Sequence, residues 1–187
     1  MDIRGLLLVN TGDIREGDLA FLASDPLGAI EVAGKTPLER MAERLQQYGI
    51  SPVTMIVERN SQSAADGNHR GDSFASVNSS ADRFWRTAEN AFNDMAQAGA
   101  ELVVLVRLGA YAEIDFERLV QFHLDCGSRV SQVSHEGSTL DIFCISASRR
   151  NDAASLFRSQ LSRCRSECPT MEHSGYVNDL SNPHDFR

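Results

Sequence analysis

The chain has 187 residues, a hydrophobic fraction of 42% and a formal net charge of −8, an ordinary composition for a globular protein with one core of moderate size. The negative charge argues against a general nucleic-acid binder, because such proteins neutralise phosphates with clustered basic residues. No apolar stretch approaches the roughly 20 residues needed to span a bilayer, and the first residues do not form a signal peptide. The composition therefore predicts a cytoplasmic protein without nucleic-acid or membrane partners.

Hydrophobic periodicity in the first third of the chain predicts a strand, a helix and a second strand. Residues 3–9 form a continuous apolar run, which is typical of a parallel strand buried on both faces. After a long polar loop and a short extended piece at 30–32, the sequence Thr-Pro-Leu-Glu at 36–39 forms a capping box with proline at the first helical position. Gly49 is predicted to end this helix. The second strand is predicted over 52–58.

The remainder of the chain predicts further alternation of helices and strands. Residues 60–81 are rich in serine, asparagine and glycine and are expected to form a mobile polar insertion. Beyond it, helices are predicted at 82–98, 115–125 and 152–163, and strands at 102–106, 130–133 and 140–145. Strands separated by helices favour a mostly parallel sheet. The predicted fold class is α/β, a three-layer αβα sandwich with a Rossmann-like sheet.

The predicted domain spans 1–163, and 164–187 is expected to be a polar tail or a linker to a C-terminal region. The grouping Cys164, Cys168 and His173 has a spacing outside that of paired zinc knuckles, so no metal site is predicted there. No serine or cysteine lies in a nucleophile-elbow sequence, and His123 is expected to be structural.

Two segments, 26–49 and 101–127, carry a resemblance to a known family. The sequence Val-Ala-Gly-Lys at 32–35, set between the first strand and the capped helix, resembles the opening of the sugar-nucleotide pyrophosphorylases, an NTP-transferase family with a glycosyltransferase-A-like fold. The resemblance implies a sheet of the nucleotide-diphospho-sugar transferase type. It also implies a phosphate or nucleotide cleft, formed on this chain by Asn10, Thr11, Gly12, Asp13 and Gly109.

The residues that carry chemistry in that family are replaced at four positions. The resemblance places Leu27 at the catalytic lysine, Ala110 at the Mg²⁺ aspartate and Arg86 at a glycine that lies against the base, while Gly12 is the one glycine left in the opening of the phosphate loop. Such a set of losses implies a domain that kept the fold and dropped the chemistry, since fold and function separate readily.

The resulting interpretation is a catalytically inactive nucleotidyltransferase-like domain without a cofactor. It would act as a binding, regulatory or assembly module in sugar-nucleotide or surface-polysaccharide metabolism. One alternative is an active sugar-1-phosphate nucleotidyltransferase in which Arg15 and Lys35 contact phosphates and Asp13 or Asp115 binds Mg²⁺. Another alternative is a purely structural oligomerisation domain, which an exposed apolar patch would mark. The expected partners are a nucleotide or nucleotide sugar, with self-association or a further C-terminal domain as other options.

Overall fold

The computed structural model describes residues 1–10, 34–59, 73–78, 81–161 and 168–179, and the structural statements that follow concern these residues. Their elements, in chain order, are β1 (Ile3–Val9), α1 (Pro37–Gln47), β2 (Val53–Arg59), β3 (Ser73–Asn78), α2 (Ala81–Gln97), β4 (Leu102–Arg107), β5 (Ala110–Ala112), α3 (Phe116–Asp125), β6 (Val130–His135), β7 (Ser138–Ser146), α4 (Arg150–Arg158), β8 (Thr170–Glu172) and β9 (Val177–Asp179).

Seven strands form one sheet in the order β3-β2-β1-β4-β7-β6-β8, and β5 pairs with β9 in a separate ribbon. The neighbours β1–β2, β1–β4, β2–β3 and β6–β8 are parallel. Only β7 opposes this direction in the sheet, since it is antiparallel to both β4 and β6. The predicted mostly parallel α/β sheet is therefore confirmed.

The two faces of the sheet carry separate apolar cores, which accounts for the predicted layers. Leu7 and Val9 of β1 pack in the core that includes residues of α1 and α3, whereas Leu6 and Leu8 pack in the core that includes residues of α2 and α4. Alternate residues of a strand point to opposite faces, so a strand covered on both sides must be apolar throughout. The uninterrupted apolar run at 3–9 is explained in this way.

The start of α1 is fixed by the predicted capping box. The Thr36 hydroxyl accepts a hydrogen bond from the Glu39 backbone N–H at 3.0 Å, and the Thr36 backbone N–H donates to the Glu39 carboxylate at 2.8 Å. The helix packs closely on β1 because Gly5 has no side chain: a Cβ there would lie 3.0 Å from Val53 Cγ2 and 3.1 Å from Leu45 Cδ1.

Four strands lie where the sequence analysis expected none, and one of them is β5, between the strand predicted at 102–106 and the helix predicted at 115–125. β3 falls within the predicted polar insertion, and β8 and β9 fall within the predicted polar tail or linker. Strands of three to six residues at a sheet edge or in a small ribbon are held mainly by backbone hydrogen bonds, so their apolar pattern is weak. Within β8, Met171 alone is buried in the core. The further C-terminal region to which residues 164–187 were expected to lead stays a prediction.

The antiparallel strand β7 arises from a tight hairpin with β6. The turn residues Glu136 and Gly137 have φ of 49° and 78°, as two-residue hairpin turns require. No helix among the described residues combines the length and apolar character that crossing a bilayer demands.

Candidate functional site

The carboxyl ends of β1 and β4 meet where the strand order reverses. From β1 the sheet extends through β2 and β3 on one side and through β4 and β7 on the other. Open α/β sheets bind ligands in the crevice outside the carboxyl ends of their strands at such a switch point. Asn10 follows β1 and Arg107 ends β4, so these two residues mark the candidate site.

The guanidinium of Arg107 is held in this crevice by side chains from three other parts of the chain. Its Nε donates a hydrogen bond to Asn10 Oδ1 at 2.9 Å, and one terminal nitrogen donates to Asp141 Oδ2 of β7 at 2.9 Å. The guanidinium carbon lies 5.6 Å from the ring centroid of Trp85, a residue of α2. We call these four residues the Arg107 cluster.

The Arg107 cluster contains a largely buried ion pair, because the Arg107 guanidinium lies 2.9 Å from the Asp141 carboxylate. The side chain of Arg107 is 12% exposed and that of Asp141 is 29% exposed. Buried Glu58, near the end of β2, adds a second carboxylate on the same edge of the sheet. Because a guanidinium stays protonated and presents a planar fork of donors, it suits a phosphate or carboxylate but cannot transfer protons at neutral pH.

Two predicted cleft residues lie at this edge, and the others lie outside the described residues. Asn10 contacts Arg107, as stated above. Gly109 lies in the turn after β4, where its backbone N–H donates to the Arg107 carbonyl at 3.0 Å, and a Cβ there would meet no atom within 4 Å. Packing therefore does not demand glycine at that position. The residues that fall outside are Thr11, Gly12, Asp13, Arg15 and Leu27.

Lys35, the phosphate ligand of the active-enzyme alternative, is engaged by a neighbour on α1. Its ammonium donates to both carboxylate oxygens of Glu43, at 2.6 and 2.7 Å. Both side chains are about half exposed, so the pair contributes at most about 1 kcal/mol and could be exchanged for a ligand at small cost.

Asp115, the predicted metal ligand, caps α3. Its Oδ1 accepts a hydrogen bond from the Arg118 backbone N–H at 3.0 Å, and this role alone accounts for an aspartate at the position. Across the residues that the structure describes, no group of three or more His, Cys, Asp or Glu side chains is placed to hold a metal ion.

The sequence analysis missed an aspartate at the same edge. The ribbon of β5 and β9 places Asp179 directly opposite Ala110, the position where the resemblance puts the lost Mg²⁺ aspartate. The segment that contains Asp179 was expected to be a tail or linker, so its return to β5 was not foreseen. A three-residue strand offers almost no periodicity by which to detect it.

A second polar cluster joins β6 to β8. The Glu172 carboxylate accepts hydrogen bonds from the Ser134 hydroxyl at 2.6 Å and the Glu136 backbone N–H at 2.8 Å. His135 Nδ1 donates to the His173 carbonyl at 2.9 Å. His173 Nε2 is buried without a hydrogen-bond partner and packs on Gly175, where a Cβ would lie 2.7 Å away.

His123 has the contacts of a structural residue. Its ring is buried, and its two nitrogens lie 2.9 Å from the Ser131 hydroxyl and 3.1 Å from the Ser146 hydroxyl. The ring thus joins α3 to β6 and β7. Burial lowers the pKa of His123 below its usual value, because the charged ring would lose its hydration.

Acidification is expected to destabilise the fold through His123 and His173. Burial is also the largest cause of the lowered pKa of His173, and the charges of His135, Arg118 and Arg44 lower it further, although a hydrogen bond with the Tyr176 backbone raises it. Both histidines start from an ordinary value of 6.5. The unfolded chain therefore binds protons more readily, and stability present above pH 6.5 is lost as the pH falls from there.

This expectation can be checked by urea unfolding at about pH 7.5 and about pH 5.5. The unmodified chain should lose free energy of unfolding between the two conditions, and His173→Gln should lose less. An equal loss of unfolding free energy in both proteins would show that His173 does not contribute to the destabilisation by acid.

Comparison with known proteins finds similarity in structure. No protein-family model and no curated protein matches the sequence. HddC from Yersinia pseudotuberculosis superposes with a TM-score of 0.65 at 12% identity, over 98% of this chain and 96% of that one. Rv0371c from Mycobacterium tuberculosis H37Rv superposes with a TM-score of 0.66 at 16% identity, over 100% and 97%.

A third similar structure is from Bacillus anthracis and is assigned as a glucose-1-phosphate thymidylyltransferase, in complex with sucrose. Its TM-score is 0.66 at 11% identity, over 98% of this chain and 92% of that one. HddC has also been solved with GMP-PN, and Rv0371c with manganese. At these identities the similarity shows the fold, which is that of sugar-phosphate nucleotidyltransferases, as the resemblance implied.

Proposed function

We propose that this chain uses a nucleotidyltransferase fold to bind a nucleotide or nucleotide sugar at the switch point without catalysing nucleotidyl transfer. In this role it serves as a binding or regulatory module of sugar-nucleotide or surface-polysaccharide metabolism. The observation that supports the proposal is the Arg107 cluster, which places an arginine guanidinium, paired with Asp141, in the crevice where open α/β sheets bind ligands.

Two carboxylates that could serve a Mg²⁺ ion, Asp141 and Asp115, are already engaged within the chain. Mg²⁺ demands octahedral oxygen coordination and is commonly bound through one or two carboxylates together with substrate phosphates. Asp141 is engaged by Arg107, and Asp115 caps α3. A metal ion bound at Asp141 Oδ2 or at Asp115 Oδ1 would displace the hydrogen-bond donor that each oxygen now accepts from.

Calorimetric titration with nucleoside triphosphates and nucleotide sugars, with and without Mg²⁺, tests the proposal. We expect binding in the micromolar range, about −8 kcal/mol, that persists in EDTA. An assay of pyrophosphate release from the triphosphate and a sugar 1-phosphate should stay at the level of a protein-free control. Arg118→Met, which removes an arginine outside the cluster, should bind as the unmodified chain does. Binding that needs Mg²⁺, or steady pyrophosphate release, would contradict the proposal.

One observation favours a second candidate function, an active sugar-1-phosphate nucleotidyltransferase. Asp179 occupies the register position opposite Ala110, the position at which the resemblance places the lost Mg²⁺ aspartate. Replacing it in Asp179→Asn distinguishes the candidates. An active enzyme should lose pyrophosphate release by more than tenfold, whereas Asp125→Asn at the exposed end of α3 should leave the rate unchanged. A chain that only binds should give no release in any of the three proteins.

A further inference from the structure

Two short strands hold residues 168–179, called segment 168–179 below, to the body of the protein. β8 pairs with β6 through Thr170, Met171 and Glu172, and β9 pairs with β5 over three residues as well. Met171 is the residue of β8 that is buried in the core, whereas β4 is buried along nearly its whole length. Segments with few buried contacts open at a lower free-energy cost than global unfolding.

His173 lies between β8 and β9, and its backbone contacts β6. Its N–H donates a hydrogen bond to the Ser134 carbonyl at 2.7 Å, and its carbonyl accepts one from His135 Nδ1 at 2.9 Å. The two histidine rings are inclined at 45°, with centroids 5.8 Å apart. The position of the His173 ring therefore depends on the pairing of segment 168–179 with β6.

The packing of the His173 ring suits its neutral form. Its Nε2 is buried and has no hydrogen-bond partner in the described part of the chain. The backbone of Gly175 lies so close that a Cβ there would be 2.6 Å from ring Cε1 and 2.7 Å from Nε2. A neutral ring can leave Nε2 without a proton, whereas a charged ring carries a proton on both nitrogens. Protonation would therefore place a buried donor without an acceptor against Gly175, at a cost in free energy.

Positive groups on three other elements also disfavour a charged ring. Burial is the largest cause of the lowered pKa of His173, and a hydrogen bond with the Tyr176 backbone acts in the opposite direction. The charges that lower this pKa further belong to His135 of β6, Arg118 of α3 and Arg44 of α1. The surroundings of the ring thus hold it neutral while the segment is attached.

Two described carboxylates lie near these positive charges, and both have other partners. Glu172 accepts hydrogen bonds from the Ser134 hydroxyl at 2.6 Å and the Glu136 backbone N–H at 2.8 Å. Glu113 lies 3.9 Å from a terminal nitrogen of Arg44, and its side chain is 74% exposed. Glu172 is exposed too, so water screens the attraction of both carboxylates for a charged ring.

We propose that segment 168–179 detaches from the sheet when His173 is protonated, at a pH where the rest of the molecule stays folded. Detachment lets the Nε2 proton bind water and separates the ring from the neighbouring positive charges. It also uncovers the outer edge of β6 and takes Asp179 from its register position opposite Ala110. Detachment would occur whether or not the switch point binds a ligand, so it is independent of the function proposed above.

The expected size of the effect follows from the ordinary histidine pKa of 6.5. Because the ring is charged only in the detached state, the ratio of detached to attached molecules rises about tenfold for each pH unit below that value. Above it the ratio hardly changes. The detached fraction should therefore be about tenfold larger at about pH 5.5 than at about pH 7.5.

Thiol labelling at these two pH values tests the proposal, because three cysteines report different events. Cys168 lies in the segment, with its Sγ 3.1 Å from the Val130 carbonyl, while Cys126 is exposed and Cys144 is buried. Dithiodipyridine labels thiols at both pH values, Cys126 corrects for the pH dependence of the reagent, and Cys164→Ser removes the remaining thiol. Relative to Cys126, labelling of Cys168 should rise about tenfold at the lower pH, while Cys144 stays protected.

Two variants identify the group responsible. His173→Gln, which has a polar side chain that does not titrate, should label at the same corrected rate at both pH values. Met171→Ala, the matched control, loosens β8 without changing a charge, so Cys168 should label faster at both pH values and keep the same ratio. The proposal is overturned by Cys168 labelling that does not change with pH, by an undiminished rise in His173→Gln, or by simultaneous labelling of Cys144.

Hydrogen exchange of the unmodified chain gives a second measurement that needs no substitution. After correction for the pH dependence of exchange in free peptides, the backbone amides of β8 and β9 should lose protection about tenfold between the two pH values. The amides of β4 should exchange much more slowly in both conditions, because they open only by global unfolding. Exchange in β8 as slow as that in β4 would show that the segment does not detach on its own.

Discussion

Replacing Arg107 by methionine is expected to destabilise the fold by about 2–3 kcal/mol and to abolish ligand binding at the switch point. The change removes the guanidinium that Asn10 and Asp141 hold at 2.9 Å. Breaking a fully buried ion pair costs about 3–5 kcal/mol, because the remaining charge stays desolvated. The Asp141 side chain is 29% exposed, so water relieves part of that cost. Loss of the contact with Trp85 contributes about 0.5–1 kcal/mol.

Urea unfolding of three proteins measures this effect. The double variant Arg107→Met with Asp141→Leu should recover most of the lost stability, because replacing both charges of a buried pair by apolar groups is close to neutral. It should nevertheless fail to bind nucleotide in calorimetry, since the cation is still missing. Separating stability from binding in this way shows whether Arg107 serves the ligand or only the fold. Normal binding by the double variant would refute the role in ligand binding.

Replacing His123 by leucine is expected to cost about 2–3 kcal/mol of unfolding free energy. The Ser131 and Ser146 hydroxyls lose the ring nitrogens at 2.9 and 3.1 Å, and Ser131 is fully buried. A buried polar group deprived of its partner costs about 1–3 kcal/mol. Ser146 keeps a long hydrogen bond to the Ser128 carbonyl at 3.4 Å, which limits its share.

The matched control is a triple variant that adds Ser131→Ala and Ser146→Ala to His123→Leu. Removing both sides of a hydrogen bond is much less costly than removing one, so this protein should regain much of the lost stability in urea unfolding. A triple variant no more stable than the single one would show that leucine fits the site poorly. The unfolding free energy lost in His123→Leu would then come from poor packing and not from unsatisfied hydrogen bonds.

The central strands and α1 could be predicted from sequence because their signals are local. The apolar run at 3–9 needs no partner to be recognised, and the capping box at 36–39 closes within four residues. The same locality explains the ordinary roles of two predicted site residues. Lys35 pairs with Glu43 of α1, eight residues further along the chain, and Asp115 caps α3, the helix that follows it.

The Arg107 cluster could not be predicted because its members are distant in sequence. Arg107 lies 97 residues from Asn10 and 34 residues from Asp141. In the sequence it appears only as a polar residue that ends an apolar strand. Its partners become visible when the sheet order places β1 and β7 on either side of β4. Asn10 was predicted as a cleft residue from the resemblance, without its contact to Arg107.

The late position of β8 in the sequence means that one edge of the sheet is completed near the end of synthesis. The hairpin of β6 and β7 is local and can form early during synthesis, but the outer edge of β6 stays uncovered until residues 170–172 emerge and pair with it. An uncovered edge strand is a template for pairing with other chains. The nascent protein thus passes through a stage in which its sheet is complete in the middle and open at one side. Met171, buried in the core beside β6, closes that side.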